Sequence, residues 1–166
     1  MRRLMKRPIA VILLAALGVS AVSMMAASQG APPPAAQPYR PGVGDLMTMT
    51  VQPRHTKIAI AGRAGNWPLA KYELHQLQEA LDRVVQNWPR WKGLPLGGMV
   101  EAIEKGPMAD VAEAIEAKDA AKFSAAMGQL AEGCNACHQA ANVGMVVIKS
   151  PDASSFPDQE FRPAKP

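Results

Sequence analysis

The sequence predicts an all-α protein, an antiparallel (up-down-up-down) four-helix bundle. Apolar residues recur at steps of three and four in two long segments, which is the spacing of one helix face. One set is Leu74, Leu77, Leu81, Val84 and Trp88, and the other is Phe123, Met127, Leu130, Cys134, Cys137 and Ala141. No alternating strand pattern is found between Val43 and Val143. Segments of similar length joined by short loops favour the up-down-up-down order.

The N-terminus predicts export from the cytoplasm. Four basic residues and no acid precede a run that is almost wholly apolar from Ile9 to Val22, and small residues follow at Ala26, Ala27 and Ser28. This order is typical of a secretory signal, which we place at residues 1–28. The alternative is an uncleaved anchor, because the apolar run is about as long as a short spanning helix. Both interpretations put the rest of the chain in the bacterial periplasm.

Residues 29–42 are rich in proline and predict an extended, disordered tether. The formal net charge of the whole chain is +4. Arg2, Arg3, Lys6 and Arg7 supply four positive charges, so the chain without its leader is nearly neutral. We therefore expect no nucleic-acid partner, and membrane contact only if the leader is retained.

The bundle domain is predicted over residues 43–142. Its first helix spans roughly residues 45–64, and Pro53 either kinks this helix or starts it. The second runs from Pro68 to Trp88, where proline fits the first turn and Pro89 ends the helix. The third spans residues 97–118, with a break at Gly106-Pro107.

Asp119 is expected to cap the fourth helix. Cys134 and Cys137 extend its apolar stripe, and His138 lies on the same face, four residues after Cys134. Residues 143–166 are predicted to form a mostly irregular tail. Its apolar segment, residues 143–148, is expected to pack over the edge of a cofactor or the end of the bundle.

Cys134-Asn135-Ala136-Cys137-His138 is the motif that carries chemistry, and it contains the only two cysteines of the chain. The order C-x-x-C-H is typical of covalent attachment of one c-type haem. The thiols of Cys134 and Cys137 bond to the porphyrin vinyl groups, and His138 offers an imidazole nitrogen to the iron. A disulfide is the alternative in an oxidising compartment. A zinc site would need more ligands, and a thioredoxin-like pair would need a βαβ setting.

With a signal peptide, four helices and one C-x-x-C-H late in the last helix, the chain resembles the cytochrome c′ group and its low-spin relatives over about residues 44–142. The resemblance implies thioether bonds at Cys134 and Cys137, His138 as proximal ligand, and frequent homodimers. It also implies that the other face of the iron is of one of two kinds. Some members have an apolar, vacant distal side and bind nitric oxide or carbon monoxide, whereas others have a methionine from the first helix and transfer electrons.

The first helix holds candidates for both alternatives. A loose alignment on Arg54 places Ile58 on the distal side, which implies a vacant sixth position. Met49 is the candidate for a sixth ligand, with Met47 as a weaker one, because a thioether binds haem iron. Arg54 is a candidate for pairing with a haem propionate. His55 is interpreted as a surface or helix-end residue.

Three functions follow from these residues. The leading hypothesis is an exported monohaem cytochrome that transfers single electrons to a redox partner protein. The second is a five-coordinate haem protein that binds a small gas. The third is an exported dithiol or disulfide protein without haem. No catalytic constellation of residues is recognisable, so we predict that the chain is not an enzyme.

Overall fold

Four helices packed into a bundle form the described part of the chain, residues 38–164 of a computed structural model. This confirms the predicted fold class. The elements in chain order are α1 (Val43–Leu46), a π-helical turn (Met47–Val51), α2 (Gln52–Arg63), α3 (Trp67–Asn87), β1 (Arg90–Trp91), β2 (Leu94–Pro95), α4 (Leu96–Ile103), a second π-helical turn (Glu104–Met108), α5 (Ala109–Ala117) and α6 (Ala120–Ala140). Residues 43–63 form the first bundle helix, α3 the second, residues 96–117 the third and α6 the fourth.

The first bundle helix runs through Pro53 and does not start there. Pro53 lies in the first turn of α2, directly after the π-helical turn Met47–Val51. A proline ring clashes with the carbonyl group four residues earlier and donates no hydrogen bond, so a wider turn before it keeps the helix continuous. The wide turn also alters which residues face the bundle.

Side-chain caps and a left-handed residue define three helix ends, of which the Asp119 cap was predicted. The Asn66 side chain accepts a hydrogen bond from the Leu69 amide at the start of α3. The Asp119 carboxylate accepts from two amides in the first turn of α6, at 3.0 Å each. Lys118, in the left-handed conformation with φ 53°, ends α5.

Two features interrupt the regular helices. The third bundle helix kinks at Gly106, whose φ of −102° and ψ of −109° are not helical, and Pro107 follows it. This confirms the predicted break. A two-residue antiparallel ladder, β1 with β2, was not predicted; Lys92 and Gly93, both with positive φ, turn the chain there. Runs of two residues are too short to give an alternating pattern.

The core lies along the predicted stripes. Its largest fully buried side chains come from all four bundle helices: Ile58, Val84, Val111, Met127 and Leu130. At one end of the bundle, the Phe123 ring is edge-on to Trp67, with ring centroids 5.8 Å apart. A Cβ atom at Gly62 would overlap this ring. Gly62 therefore permits the close approach of α2 to α6.

The substitution Gly62→Ala is expected to lower the free energy of unfolding by about 1–3 kcal/mol, since the Phe123 ring is held against Trp67 and has little room to move. Gly128→Ala on α6 is the matched control. A Cβ atom there meets nothing within 4 Å, so alanine should stabilise the helix by about 0.5–1 kcal/mol. Urea unfolding followed by circular dichroism measures both variants. Equal effects of the two substitutions would contradict this account of Gly62.

The tail after α6 is irregular, but hydrogen bonds attach it to the bundle. The Arg63 guanidinium donates a hydrogen bond to the Pro151 carbonyl, and the side-chain amide of Asn66 donates one to the Arg162 carbonyl. Phe161 is buried, and the Lys57 ammonium lies 4.6 Å from the centre of the Phe156 ring. The tail therefore returns from the end of α6 across the first bundle helix.

The predicted signal (1–28) and most of the predicted tether (29–42) lie outside the described residues. The last part of the tether contacts Trp88: its indole nitrogen donates to the Pro41 carbonyl at 2.9 Å, and the Arg40 guanidinium carbon lies 3.7 Å from the ring centre. Within residues 38–164, every helix is too short or too polar to cross a membrane.

Candidate cofactor site

A largely apolar cavity lies inside the bundle, and all four bundle helices and the tail contribute to its wall. Its interior has room for water-sized groups over a volume of about 120 Å³, and its mouth is open to solvent. The apolar side chains of the wall are Val51, Leu77, Leu81, Val84, Leu96, Met99, Val100, Ile103, Leu130, Val146 and Ile148. Such a wall excludes water and is typical of a cofactor or ligand site.

The motif residues Cys134, Cys137 and His138 line this cavity. Both cysteines are half-buried and are not joined to each other by a disulfide. Burial raises the pKa of the Cys134 thiol to about 11, and it also raises the pKa of Cys137. A dithiol redox pair needs the opposite shift, because the thiolate is the reactive form.

The His138 ring is oriented by the tail. Its Nδ1 lies 2.8 Å from the Val146 carbonyl oxygen. A carbonyl oxygen can only accept, so Nδ1 carries the proton and the lone pair of the neutral ring is on Nε2. A histidine that binds a metal is commonly oriented by such a bond through its other nitrogen.

Asn135, within the motif, holds the tail in this position. Its side-chain oxygen accepts from the Ile148 amide at 2.7 Å, and its side-chain nitrogen donates to the Ile148 carbonyl at 2.8 Å. Motif and tail therefore form one unit, in which Asn135 fixes the tail segment that orients His138. The sequence predicted that the apolar tail segment packs over a cofactor edge or the bundle end, but no pattern in it marked Asn135 or Val146.

The first bundle helix presents different residues to the cavity from those expected. Met47, Val51 and His55, spaced by four, line the cavity. Met49, the predicted sixth-ligand candidate, is 75% exposed and is not in the wall. Ile58, the predicted distal residue, is fully buried in the core but is likewise not in the wall.

His55 is a buried residue of this wall, only 5% exposed, and not the surface residue that the sequence suggested. Its Nε2 atom is buried and has no hydrogen-bond partner among the described residues. Burial lowers the pKa of His55 to about 4, because desolvation disfavours the charged ring. The ring is therefore neutral near pH 7. In the sequence, the spacing of four residues that relates His55 to Val51 and Met47 was the signal that could have placed His55 on the cavity side of the helix.

Arg54, predicted as a propionate partner, does not line the cavity. Its guanidinium lies 2.9 Å from the Glu73 carboxylate on α3. The Glu73 side chain is 3% exposed and that of Arg54 30%, so the pair is mostly withdrawn from water. The structure brings Cys134, Cys137 and His138 together with Met47 and His55, but it does not bring Met49, Ile58 or Arg54 to them.

Within residues 38–164, no three His, Cys, Asp or Glu side chains are grouped closely enough to hold a metal ion by themselves. Comparisons of the chain with protein-family models, with curated proteins and with solved structures found no match.

The donor set of the cavity fits a haem attached by two thioethers. Two thiols and an oriented imidazole are present on α6, and a second imidazole and a thioether are present on the first bundle helix. The second imidazole has a buried nitrogen without a described partner. Apolar walls suit a porphyrin, which exposes two large apolar faces.

Proposed function

We propose that this chain is an exported monohaem cytochrome of c type that transfers single electrons. The observation that carries the proposal is the placement of all three residues of the C-x-x-C-H chemistry on the wall of one apolar cavity, together with two further potential iron ligands. In this proposal the chain is related to the cytochrome c′ group and its low-spin relatives, and it works in the bacterial periplasm with a redox partner protein.

Each residue of the site has a role in this proposal. Cys134 and Cys137 would hold the porphyrin by thioether bonds, and His138 would offer Nε2 to the iron. The bound haem supplies an iron that gains or loses one electron. The Val146 carbonyl, 2.8 Å from His138 Nδ1, fixes the ring and makes it a more basic ligand. The apolar side chains keep water from the iron and contribute to its reduction potential.

Electron transfer is favoured over gas binding because His55 and Met47 line the cavity. Either side chain carries a donor atom that would bind a haem iron, and an iron with such a second ligand would have no position free for a gas. Ile58, the residue that favoured a vacant position, is not in the wall. The raised pKa values of both thiols argue against a haem-free dithiol function.

The test is an optical spectrum of the full chain after expression in a bacterium with an intact haem-attachment system. We expect a Soret band, sharp α and β bands on reduction, and no change with carbon monoxide. His138→Ala should abolish these sharp bands. His75→Ala is the matched control, because His75 is exposed on α3 and pairs with Glu79, so its loss should leave the spectrum unchanged.

Absence of a Soret band would overturn the haem proposal as a whole. A broad reduced spectrum that changes with carbon monoxide would overturn electron transfer in favour of gas binding. Equal spectra for the two histidine variants would overturn the assignment of His138.

A further inference from the structure

A buried imidazole, whose Nε2 atom has no described partner, belongs to the same cavity wall as the attachment motif. His55 is 5% exposed, and its Nε2 atom has no hydrogen-bond partner among residues 38–164. A buried polar atom left unpaired costs about 1–3 kcal/mol. Native structures satisfy nearly all such atoms, so each exception requires an explanation such as a ligand.

The neighbours of His55 in the wall do not supply the missing bond. Thr48 and Gln52 are the polar side chains of the first bundle helix that also line the cavity. The Thr48 and Gln52 side chains form no hydrogen bond with Nε2 of His55. In the tautomer that carries its proton on Nδ1, the lone pair of Nε2 would be satisfied by an electron-pair acceptor inside the cavity, and a haem iron would be such a group.

Met47 is the competing residue on the same face of the first bundle helix. It lies in the π-helical turn and is half-buried. A thioether sulfur is only a weak acceptor, so it can remain in an apolar environment without a partner at little cost. The free energy that ligation recovers is therefore greater for His55 than for Met47.

We propose that His55 is the second axial ligand of the iron, so that the haem is held by two histidines, His138 on α6 and His55 on the first bundle helix. This inference rests on the proposed haem-binding function and specifies its sixth position. A histidine ligand and a methionine ligand at this position have different consequences for function. An imidazole in place of a thioether lowers the reduction potential, since a Met/His pair raises it.

The experiment compares His55→Leu with Met47→Leu in the exported, haem-loaded full chain. His55→Leu should convert the spectrum from low-spin to high-spin and make the reduced protein bind carbon monoxide. Met47→Leu should leave both properties as in the parent. His55→Met, which restores a ligand of the other kind, should raise the reduction potential measured by a redox titration.

A rescue experiment separates ligation from folding. In His55→Ala the cavity should admit free imidazole, and its addition should restore the low-spin spectrum. The same addition should leave His75→Ala unchanged. Circular dichroism of the haem-loaded variants reports whether the helices are kept, and the Cys-linked haem remains visible even when the sixth ligand is lost.

The outcomes distinguish this inference from the proposed function. A chain without covalent haem overturns both. A haem-loaded chain whose spectrum is unchanged by His55→Leu overturns the inference alone. Conversion to high spin by Met47→Leu, with His55→Leu silent, assigns the sixth position to Met47 and overturns the role of His55.

Discussion

The double substitution Cys134→Ala with Cys137→Ala is expected to abolish covalent haem attachment completely. Each thiol provides one thioether bond, and these are the only cysteines of the chain. Either single variant should retain one thioether, with its reduced α band displaced because one vinyl group stays unsaturated. Haem staining after denaturing electrophoresis and the mass of the intact chain measure the attachment.

Ala136→Ser is the matched control, because Ala136 lies between the two cysteines and is exposed. This variant should carry one haem per chain, like the parent. Covalent haem in the double cysteine variant would contradict the attachment chemistry. Loss of haem in Ala136→Ser to the same extent would show that the substitutions act through the fold or the attachment system and not through the thiols.

Removal of the Arg54 guanidinium is expected to produce the largest loss of stability among our variants. Arg54→Ala leaves the Glu73 carboxylate, 3% exposed, without its partner at 2.9 Å. Breaking a buried ion pair costs about 3–5 kcal/mol, but the Arg54 side chain is 30% exposed, so water reaches part of the vacated space. We therefore expect the free energy of unfolding to fall by roughly 2–4 kcal/mol.

Two comparisons test this account by urea unfolding. Lys71→Ala breaks an exposed ion pair with Glu116 and should cost less than about 1 kcal/mol. Adding Glu73→Leu to Arg54→Ala removes the buried charge and should restore most of the lost stability. Equal costs for Arg54→Ala and Lys71→Ala would refute the buried-pair role.

The same Arg54 variant also separates the structural role from a propionate contact. Because Arg54 is paired with Glu73 and does not line the cavity, the reduction potential of haem-loaded Arg54→Ala should match that of the parent. A shifted potential with unchanged stability would favour the propionate interpretation.

The local signals of the sequence were sufficient for most of the bundle. The apolar stripes at Leu74–Val84 and Phe123–Leu130 became core, and Asp119 caps α6. Gly106 and Pro107 mark the kink of the third bundle helix. These features depend on spacing, backbone freedom and a side chain close in sequence to the amide that it caps, so they can be derived residue by residue.

The first bundle helix shows where this reasoning reached its limit. Met49 is two residues from Met47, which corresponds to roughly half a turn around the helix, so both cannot face the cavity. The choice between them depended on the orientation of the helix in the bundle and on the π-helical turn before Pro53. Neither is encoded in spacing alone.

The sequence by itself determined the four helices, the Asp119 cap, the break at Gly106-Pro107, and the motif Cys134–His138 on the apolar stripe of the last helix. Only the tertiary structure decided which residues of other segments surround that motif: His55 and Met47 from the first bundle helix, and Val146 from the tail. The physical reason is that the apolar face of a helix follows from the spacing of residues within that helix alone. The residues across a cavity depend on how separate helices rotate and on where an irregular tail forms its hydrogen bonds, here with Asn135.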